Sequence, residues 1–267
     1  MSSPKEYQKS NVQRGELAAY KVLSNPAVQA RNDSFLTLIL PRAIKVDISS
    51  ATLLLPHYDG ETFDTTWNTT NGGAAMDTSL AYALPLLLQD LATIEPAVFT
   101  DNDLLKQLPN LAFNHENAVQ YFGDLSSELA RTNILSDLEH DKITHLLSHW
   151  QTTKLIINNG DFYPRNLIRQ SDGKLILIDW EAWNPHSPFF LVDHPENVAA
   201  VQYVHMWGNP EWQAIFRAEL EQRFAFESTS FDKGIIMKAL TLASFFRKHE
   251  TLFDGQLTIL KQLLSGY

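Results

Sequence analysis

Two hydrophobic patterns divide this chain, one typical of helices and one typical of short buried strands. Residues Asn11 to Leu23 (NVQRGELAAYKVL) are rich in good helix formers and predict a helix that ends before Pro26, which cannot continue one. The runs FLTLILPRAIKV and ATLLLPHY then predict short buried strands, punctuated by Pro41 and Pro56. The amino-terminal region therefore combines a helix with several strands.

The rest of the chain is predicted to be helical except for one cluster of strands. A long helical segment is expected from about Ala74 to Ile94, and apolar residues recur every three or four positions in residues 100–150, which predicts helix throughout. TKLIIN predicts a strand, NLIRQ and KLILID predict a hairpin around the turn SDG, and helices are expected from Asn197 onward. Segregated strands and helices indicate an α+β fold in two lobes rather than alternating βαβ units.

Composition and charge narrow the classes of protein that fit this pattern. The 267 residues are 44% hydrophobic and 19% charged, which is within the ordinary globular range. The formal net charge of −10 argues against nucleic acid and anionic membranes as partners and would suit a cationic substrate. The absence of cysteine excludes disulfides, thiolate catalysis and cysteine-based metal sites. No signal peptide or membrane-length apolar stretch is evident, so a cytoplasmic location is predicted.

The segment from Ile157 to Glu181, INNGDFYPRNLIRQSDGKLILIDWE, carries the candidate chemistry. It holds Asp161, Asn166 and Asp179, and the predicted hairpin would bring the loop before its first strand beside the residue after its second. Phosphoryl transfer from a nucleotide requires Mg²⁺, which prefers oxygen ligands such as those of Asp179 and Asn166. Asp161 is then the candidate base that orients and deprotonates the attacking hydroxyl.

Each of these residues also has a purely structural interpretation. Asn166 could hold its own loop by side-chain hydrogen bonds, and Asp172 with Gly173 is typical of a turn. Asp179, however, follows the apolar run LILI, and an acidic group in buried surroundings is costly unless a metal or a donor compensates it. That cost favours a functional role for Asp179.

A second metal site would need a different set of ligands. His145 and His149 lie one helical turn apart in HLLSH and could share a metal. The sequence has no H-E-x-x-H motif and no obvious third ligand, so the pair is interpreted as part of a helix face.

The motif GDFYPRN followed by LILIDWE is similar to the catalytic loop and metal-binding strand of the aminoglycoside phosphotransferase and choline kinase family. Asp161 to Asn166 match the D-x-x-x-x-N of the kinase catalytic loop, and Asp179 stands where kinases carry the Asp of D-F-G. The resemblance implies a protein-kinase-like, two-lobed fold with a mostly helical C-terminal lobe. It also implies Asp161 as the catalytic base and Asn166 and Asp179 as the Mg²⁺ ligands.

The resemblance extends to the amino-terminal region through less specific motifs. RGELAAYKVL resembles the helix that carries the Glu partner of the ATP-binding Lys. The resemblance implies that Glu16 is this partner and that Lys5 is the ATP-binding lysine, with Lys9 as the second choice. The strand pair that follows implies that Leu55 and His57 border the nucleotide base.

These correspondences divide the chain into residues 1–57, the N-terminal lobe, and residues 58–267, the C-terminal lobe, with a hinge near residues 55–58. No counterpart of the Gly-rich hairpin precedes Glu16, so a shortened N-terminal lobe is expected.

One position departs from the family pattern. The family's H-G-D reads Asn159, Gly160, Asp161 in this chain, and Asn159 is expected to brace the loop as a donor in place of His. Asp193, in FFLVDHPEN, is expected to brace it from the next segment.

The implied function is transfer of a phosphoryl group from ATP or another nucleotide, with Mg²⁺, to a hydroxyl of a small metabolite, cationic and aminoglycoside-like compounds included. Glu181 and carboxylates of the helical lobe would face that acceptor. Two alternatives stay open: a degenerate kinase-like protein that binds a ligand or partner without transfer, and a metal-dependent phosphohydrolase that uses the same aspartates.

Overall fold

A computed structural model of the chain describes residues 6–62, 78–108, 111–112, 114–148, 154–160, 162, 166–180, 190–205, 209–224, 228–245 and 250–267. These residues combine helices with three small sheets, which confirms the α+β prediction. They belong to two compact units: Met1–Ala112 with Leu155–Asp193, and Phe113–Lys154 with His194–Tyr267. The described strands all lie in the first unit, and the second is helical.

The first sheet is antiparallel and includes the amino-terminal strand. Its order is β1 (Glu6–Ser10), β4 (Thr52–Pro56) and β3 (Lys45–Asp47). Lys9 of β1 lies opposite Leu53 of β4. Strands β3 and β4 confirm strands in the two runs that predicted them, but β3 is exposed or half-buried rather than buried.

Helix α1 (Arg14–Leu23) follows β1 and ends at the predicted residue. The next helix, α2 (Pro26–Gln29), begins at once because Asn25 caps it: the Asn25 Oδ1 accepts a hydrogen bond from the Ala27 N–H at 2.9 Å. Pro26 is its first residue, where the missing N–H would have no helical partner. A 3₁₀ turn (Ala30–Ser34) leads to strand β2 (Leu38–Ile39).

The second sheet contains the predicted hairpin. Its order is β2, β8 (Leu175–Leu177), β7 (Leu167–Arg169) and β5 (Glu61–Thr62), with β2 parallel to β8 and the other pairs antiparallel. The hairpin turn has Gly173 at φ 86°, a left-handed conformation that favours glycine. The Asp172 Oδ1 accepts from the Lys174 N–H at 3.0 Å, which confirms its interpretation as a turn residue.

Helix α3 (Ser79–Ala92) packs on strand β2 and contributes a buried carboxylate to it. The Asp90 side chain accepts hydrogen bonds from three consecutive backbone N–H groups, those of Leu36, Thr37 and Leu38, at 3.1, 2.8 and 2.9 Å. Leu36 and Thr37 directly precede β2, and Leu38 is its first residue, so the carboxylate satisfies the backbone donors at the entry to this strand. The short helix α4 (Ala97–Thr100) comes next.

Residues 100–150 are not helical throughout, which corrects the prediction. Turns occupy residues 101–107, because the Asn102 side chain accepts from the N–H groups of Leu104 and Leu105 and so competes with helical hydrogen bonds. The first long helix of this region, α5 (His115–Arg131), starts where Asn114 caps the Asn117 N–H, and α6 (Asp137–Ser148) follows it.

A third sheet pairs β6 (Ile156–Ile157) with β9 (Val192–Asp193) in antiparallel register. The second unit completes its helices with α7 (Pro195–His205), α8 (Pro210–Phe224), α9 (Ser228–Phe245) and α10 (Glu250–Ser265), as predicted for this part of the chain. Helix α9 approaches α7 closely at Gly234, where a Cβ atom would lie 2.9 Å from the Glu196 carbonyl oxygen. Among the described residues, no helix is long and apolar enough to cross a membrane.

Candidate active site

The loop that precedes position 161 is fixed by hydrogen bonds between the Asn158 side chain and backbone groups. The Asn158 Oδ1 accepts from the Gly160 N–H at 2.6 Å, and the Asn158 Nδ2 donates to the Phe190 carbonyl oxygen at 2.7 Å. Gly160 has φ 80°, a left-handed conformation in which a Cβ would be strained. The predicted base Asp161 itself lies outside the described residues.

The hairpin brings the two predicted metal ligands to the same end of strands β7 and β8. The Ile178 N–H donates to the Asn166 carbonyl oxygen at 2.9 Å, directly beside the register pair of Leu167 and Leu177. Asn166 is 4% exposed. Because Asp179 follows Ile178 directly, the hairpin places the backbones of positions 166 and 179 close together.

The residue after Asp179 is anchored in the core. Trp180 is fully buried, stacks on Phe99 with ring centroids 5.8 Å apart, and donates from Nε1 to the Leu177 carbonyl oxygen at 2.6 Å. Asp179 lies at φ 61°, a left-handed conformation that costs a non-glycine residue about 1 kcal/mol or more. The chain therefore turns sharply at Asp179, two residues after the last residue of strand β8.

A cation from the amino-terminal strand contacts Asp179. The Lys9 Nζ lies 3.1 Å from Asp179 Oδ1 and 2.9 Å from Glu16 Oε1. Strand β1 thus provides the Lys, helix α1 provides the Glu, and the end of strand β8 provides the Asp. The Glu16 side chain is 3% exposed, whereas those of Lys9 and Asp179 are 30% and 37% exposed.

This burial gradient suits a site that receives a charged ligand. Glu16 is held inside the protein, where its attraction to Lys9 is weakly screened by solvent. Asp179 faces outward, and none of the described residues donates a hydrogen bond to its second carboxylate oxygen. That oxygen and the side-chain amide oxygen of Asn166 are hard oxygen ligands of the kind that Mg²⁺ prefers. The side chains present therefore fit a magnesium ion.

The peptide group between Ile178 and Asp179 is held at both of its polar ends. The Asn159 Nδ2 donates to the Ile178 carbonyl oxygen at 2.9 Å, and the Asp179 N–H donates to the Tyr20 hydroxyl oxygen at 3.2 Å. Asn159 is fully buried, and it acts as the donor that was expected in place of His. Burial raises the pKa of the Tyr20 hydroxyl, so this group is a neutral phenol at ordinary pH.

Comparison with known proteins relates this geometry to a fold. A scan of protein-family models and a search of curated proteins both found no match. Solved structures do match. APH(2")-IIia, solved with GDP and kanamycin, shares 11% identity and a TM-score of 0.60 over 98% of this chain and 87% of that one. The choline kinase LicA from Streptococcus pneumoniae shares 11% identity and a TM-score of 0.57 over 100% and 88%. A choline/ethanolamine kinase family protein from Mesorhizobium loti shares 13% identity and a TM-score of 0.59 over 98% of this chain and 83% of that one.

The chain has the fold of the aminoglycoside phosphotransferases and choline kinases. These neighbours confirm the protein-kinase-like α+β fold that the catalytic-loop resemblance implied. At identities this low, the likeness is one of fold.

Within this kinase-like fold, the other predicted site residues have different outcomes. Leu55 is buried on strand β4, and His57 follows that strand with its side chain 49% exposed; their place beside a nucleotide base stays a prediction. Asp193 is buried in β9, which pairs with the strand that leads into Asn158. Lys5, Glu181 and His149 lie outside the described residues.

Sequence reasoning ranked Lys9 second and did not single out Tyr20. Lys9 is seven positions before Glu16, and its ion pair with Glu16 at 2.9 Å shows that its side chain reaches helix α1. Tyr20 lies four positions after Glu16, and residues four apart share a helix face. That spacing was the available signal for Tyr20.

Proposed function

We propose that this protein is a small-molecule phosphotransferase that uses a nucleotide and Mg²⁺ to phosphorylate a hydroxyl group. The observation that carries the proposal is the contact of Lys9 with both Glu16 and Asp179. It joins two segments 170 positions apart, and it places a cation beside a carboxylate that is available for a metal. ATP is the expected phosphoryl donor.

Each side chain has a separate role in this proposal. Glu16 orients the Lys9 ammonium, whose three donors allow it to keep Glu16 and also bind a phosphate oxygen. Asp179 and Asn166 would hold the magnesium ion, which when bound neutralises charge on the phosphate oxygens. Asp161 is the proposed base: it accepts the proton of the acceptor hydroxyl as that oxygen attacks the terminal phosphorus. The bond from that phosphorus to the bridging oxygen breaks, and the nucleoside diphosphate leaves.

The acceptor is proposed to be a cationic hydroxyl compound. Neighbouring structures are described as complexes with kanamycin, gentamicin and streptomycin, and others as choline kinases. These compounds all carry amino or quaternary ammonium groups. A chain with a net charge of −10 attracts such cations over several ångströms at moderate ionic strength.

A screen for acceptor-dependent nucleotide consumption tests the proposal. The purified chain is incubated with ATP or GTP, Mg²⁺ and amino alcohols, aminoglycosides or sugars, with Asp161→Asn as the negative control. The proposal predicts consumption that requires both Mg²⁺ and one class of acceptor and falls at least about 100-fold in Asp161→Asn.

Other outcomes of this screen would contradict the proposal. Phosphate release that does not depend on an acceptor would indicate the phosphohydrolase. Nucleotide binding without consumption across the panel would indicate the degenerate, binding-only protein.

A further inference from the structure

The hydroxyl of Tyr20 has no role in the chemistry proposed above, yet it contacts the backbone of the proposed metal ligand. We infer that Tyr20 is a positioning residue that holds the peptide group before Asp179, so that the Asp179 carboxylate is oriented for the metal before the metal binds. The consequence for metal binding rests on the proposed function; the effect on the peptide group does not.

The geometry of this peptide group is the first support. Its carbonyl oxygen accepts from Asn159 and its N–H donates to Tyr20, at 2.9 and 3.2 Å. A rotation of the peptide plane would break both hydrogen bonds together. Because Asp179 is in the left-handed region at φ 61°, its backbone needs such restraints to stay there.

Helix α1 is the second support. Glu16 and Tyr20 lie four residues apart on this helix and so share one face. Through Glu16 the helix holds Lys9, which contacts the Asp179 side chain, and through Tyr20 it holds the Asp179 backbone. The same helix face therefore fixes both parts of Asp179.

The surroundings of Tyr20 explain why a tyrosine suits this position. Its side chain is 1% exposed, so no bulk water replaces the hydroxyl as acceptor for the Asp179 N–H. An apolar side chain of similar size would fill the space and leave the N–H unpaired.

The inference predicts a selective effect of Tyr20→Phe. Nucleotide affinity measured by calorimetry without Mg²⁺ should stay within twofold of wild type, because the Tyr20 hydroxyl binds the Asp179 backbone, whereas Lys9 is the proposed phosphate ligand. The gain in affinity on adding Mg²⁺ should fall about three- to tenfold, the effect of losing one hydrogen bond. In the ligand-free protein, amide hydrogen exchange at Asp179 should accelerate about tenfold, while exchange within α1 is unchanged.

A matched control removes a hydroxyl elsewhere. Tyr121→Phe alters helix α5 of the second unit, where the Tyr121 ring packs edge-on against Phe122 at 5.2 Å. It should change neither the exchange at Asp179 nor the effect of Mg²⁺.

Two results would overturn the inference. Unchanged exchange at Asp179 in Tyr20→Phe would show that the hydroxyl does not hold the peptide group. Faster exchange with an undiminished effect of Mg²⁺ would show that it does not position the carboxylate. If wild type itself shows no magnesium-dependent binding, the proposed function fails, and the exchange rates still decide whether Tyr20 holds Asp179.

Discussion

Two aspartates of the first unit follow stretches rich in leucine or isoleucine, yet their surroundings differ. Asp90 follows LLLQ on helix α3 and is 5% exposed, and its carboxylate accepts three backbone N–H groups. Asp179 follows LILI, and its side chain is 37% exposed and contacts Lys9. The first carboxylate accepts hydrogen bonds on both oxygens inside the protein, whereas the second is partly exposed and has one oxygen that no described residue binds.

The difference shows what an acidic residue after an apolar run means. Burial of a carboxylate requires compensation, but backbone donors provide it as well as a metal does. An acidic residue in an apolar run therefore needs a compensating partner, which can be either a metal or a set of backbone donors. Asp179 has a left-handed backbone, a partly exposed side chain and a neighbouring cation, which suit its proposed role as a metal ligand. Asp90 lies within a helix and is buried.

Replacing Asp90 should give the largest loss of stability. Asp90→Ala leaves the N–H groups at the start of strand β2 without their acceptor, and we expect the free energy of unfolding to fall by about 3 kcal/mol. Chemical denaturation measures this loss. Nucleotide affinity of the folded fraction should not change, and a large loss of affinity without a loss of stability would reverse the assigned roles.

Asp179→Asn should show the opposite profile. The substitution keeps the shape of the side chain and removes the charge that the metal requires, so phosphoryl transfer should fall about 100-fold. Stability should change by less than about 1 kcal/mol, because the partly exposed contact with Lys9 contributes little to folding. Steady-state kinetics and denaturation of the same preparation test both statements.

The identity of the nucleotide lysine is tested by two single substitutions. Lys9→Met should lower transfer about 10- to 100-fold, because Lys9 is the cation that contacts Glu16 and Asp179. Lys5→Met should have less than a twofold effect. A larger loss in Lys5→Met than in Lys9→Met would restore the assignment that the resemblance first implied.

Alkaline pH should destabilise wild type more than Tyr20→Phe. The folded-state pKa of Tyr20 lies above its ordinary value of 10.0, so its contribution to stability is complete below that pH and is lost as pH rises above it. Between about pH 9 and 11, wild type should lose about 1 kcal/mol more stability than Tyr20→Phe. Lysine deprotonation is common to both proteins and cancels in the comparison. Parallel losses would contradict the burial of the neutral phenol.

Much of the fold and part of the site followed from local patterns in the sequence. The hairpin was predictable because two apolar runs flank a turn with Asp172 and Gly173, and it alone explains why positions 166 and 179 lie together. The choice between Lys5 and Lys9 could not be made from their spacing in the sequence. Residues four apart on a strand share a face, so alternation could not separate Lys5 from Lys9, which a strand would place about 13 Å apart.

The remaining features depend on contacts between distant segments. The hydrogen bond from Asp179 to Tyr20 joins residues 159 positions apart, and no local pattern reports it. The turns after Asp101 were missed because the leucine periodicity there resembles that of a helix, whereas the Asn102 side chain stabilises a different backbone conformation.

The central claim is that Asp179, beside Lys9 and Asn166, binds the magnesium ion of a bound nucleotide. Calorimetric titration of ATP into the wild-type chain and Asp179→Asn, with Mg²⁺ and with excess EDTA, tests it most directly. The account predicts that Mg²⁺ strengthens nucleotide binding by wild type at least about tenfold and that Asp179→Asn loses this gain. Equal nucleotide affinity of wild type with and without Mg²⁺, or an undiminished gain in Asp179→Asn, would contradict it.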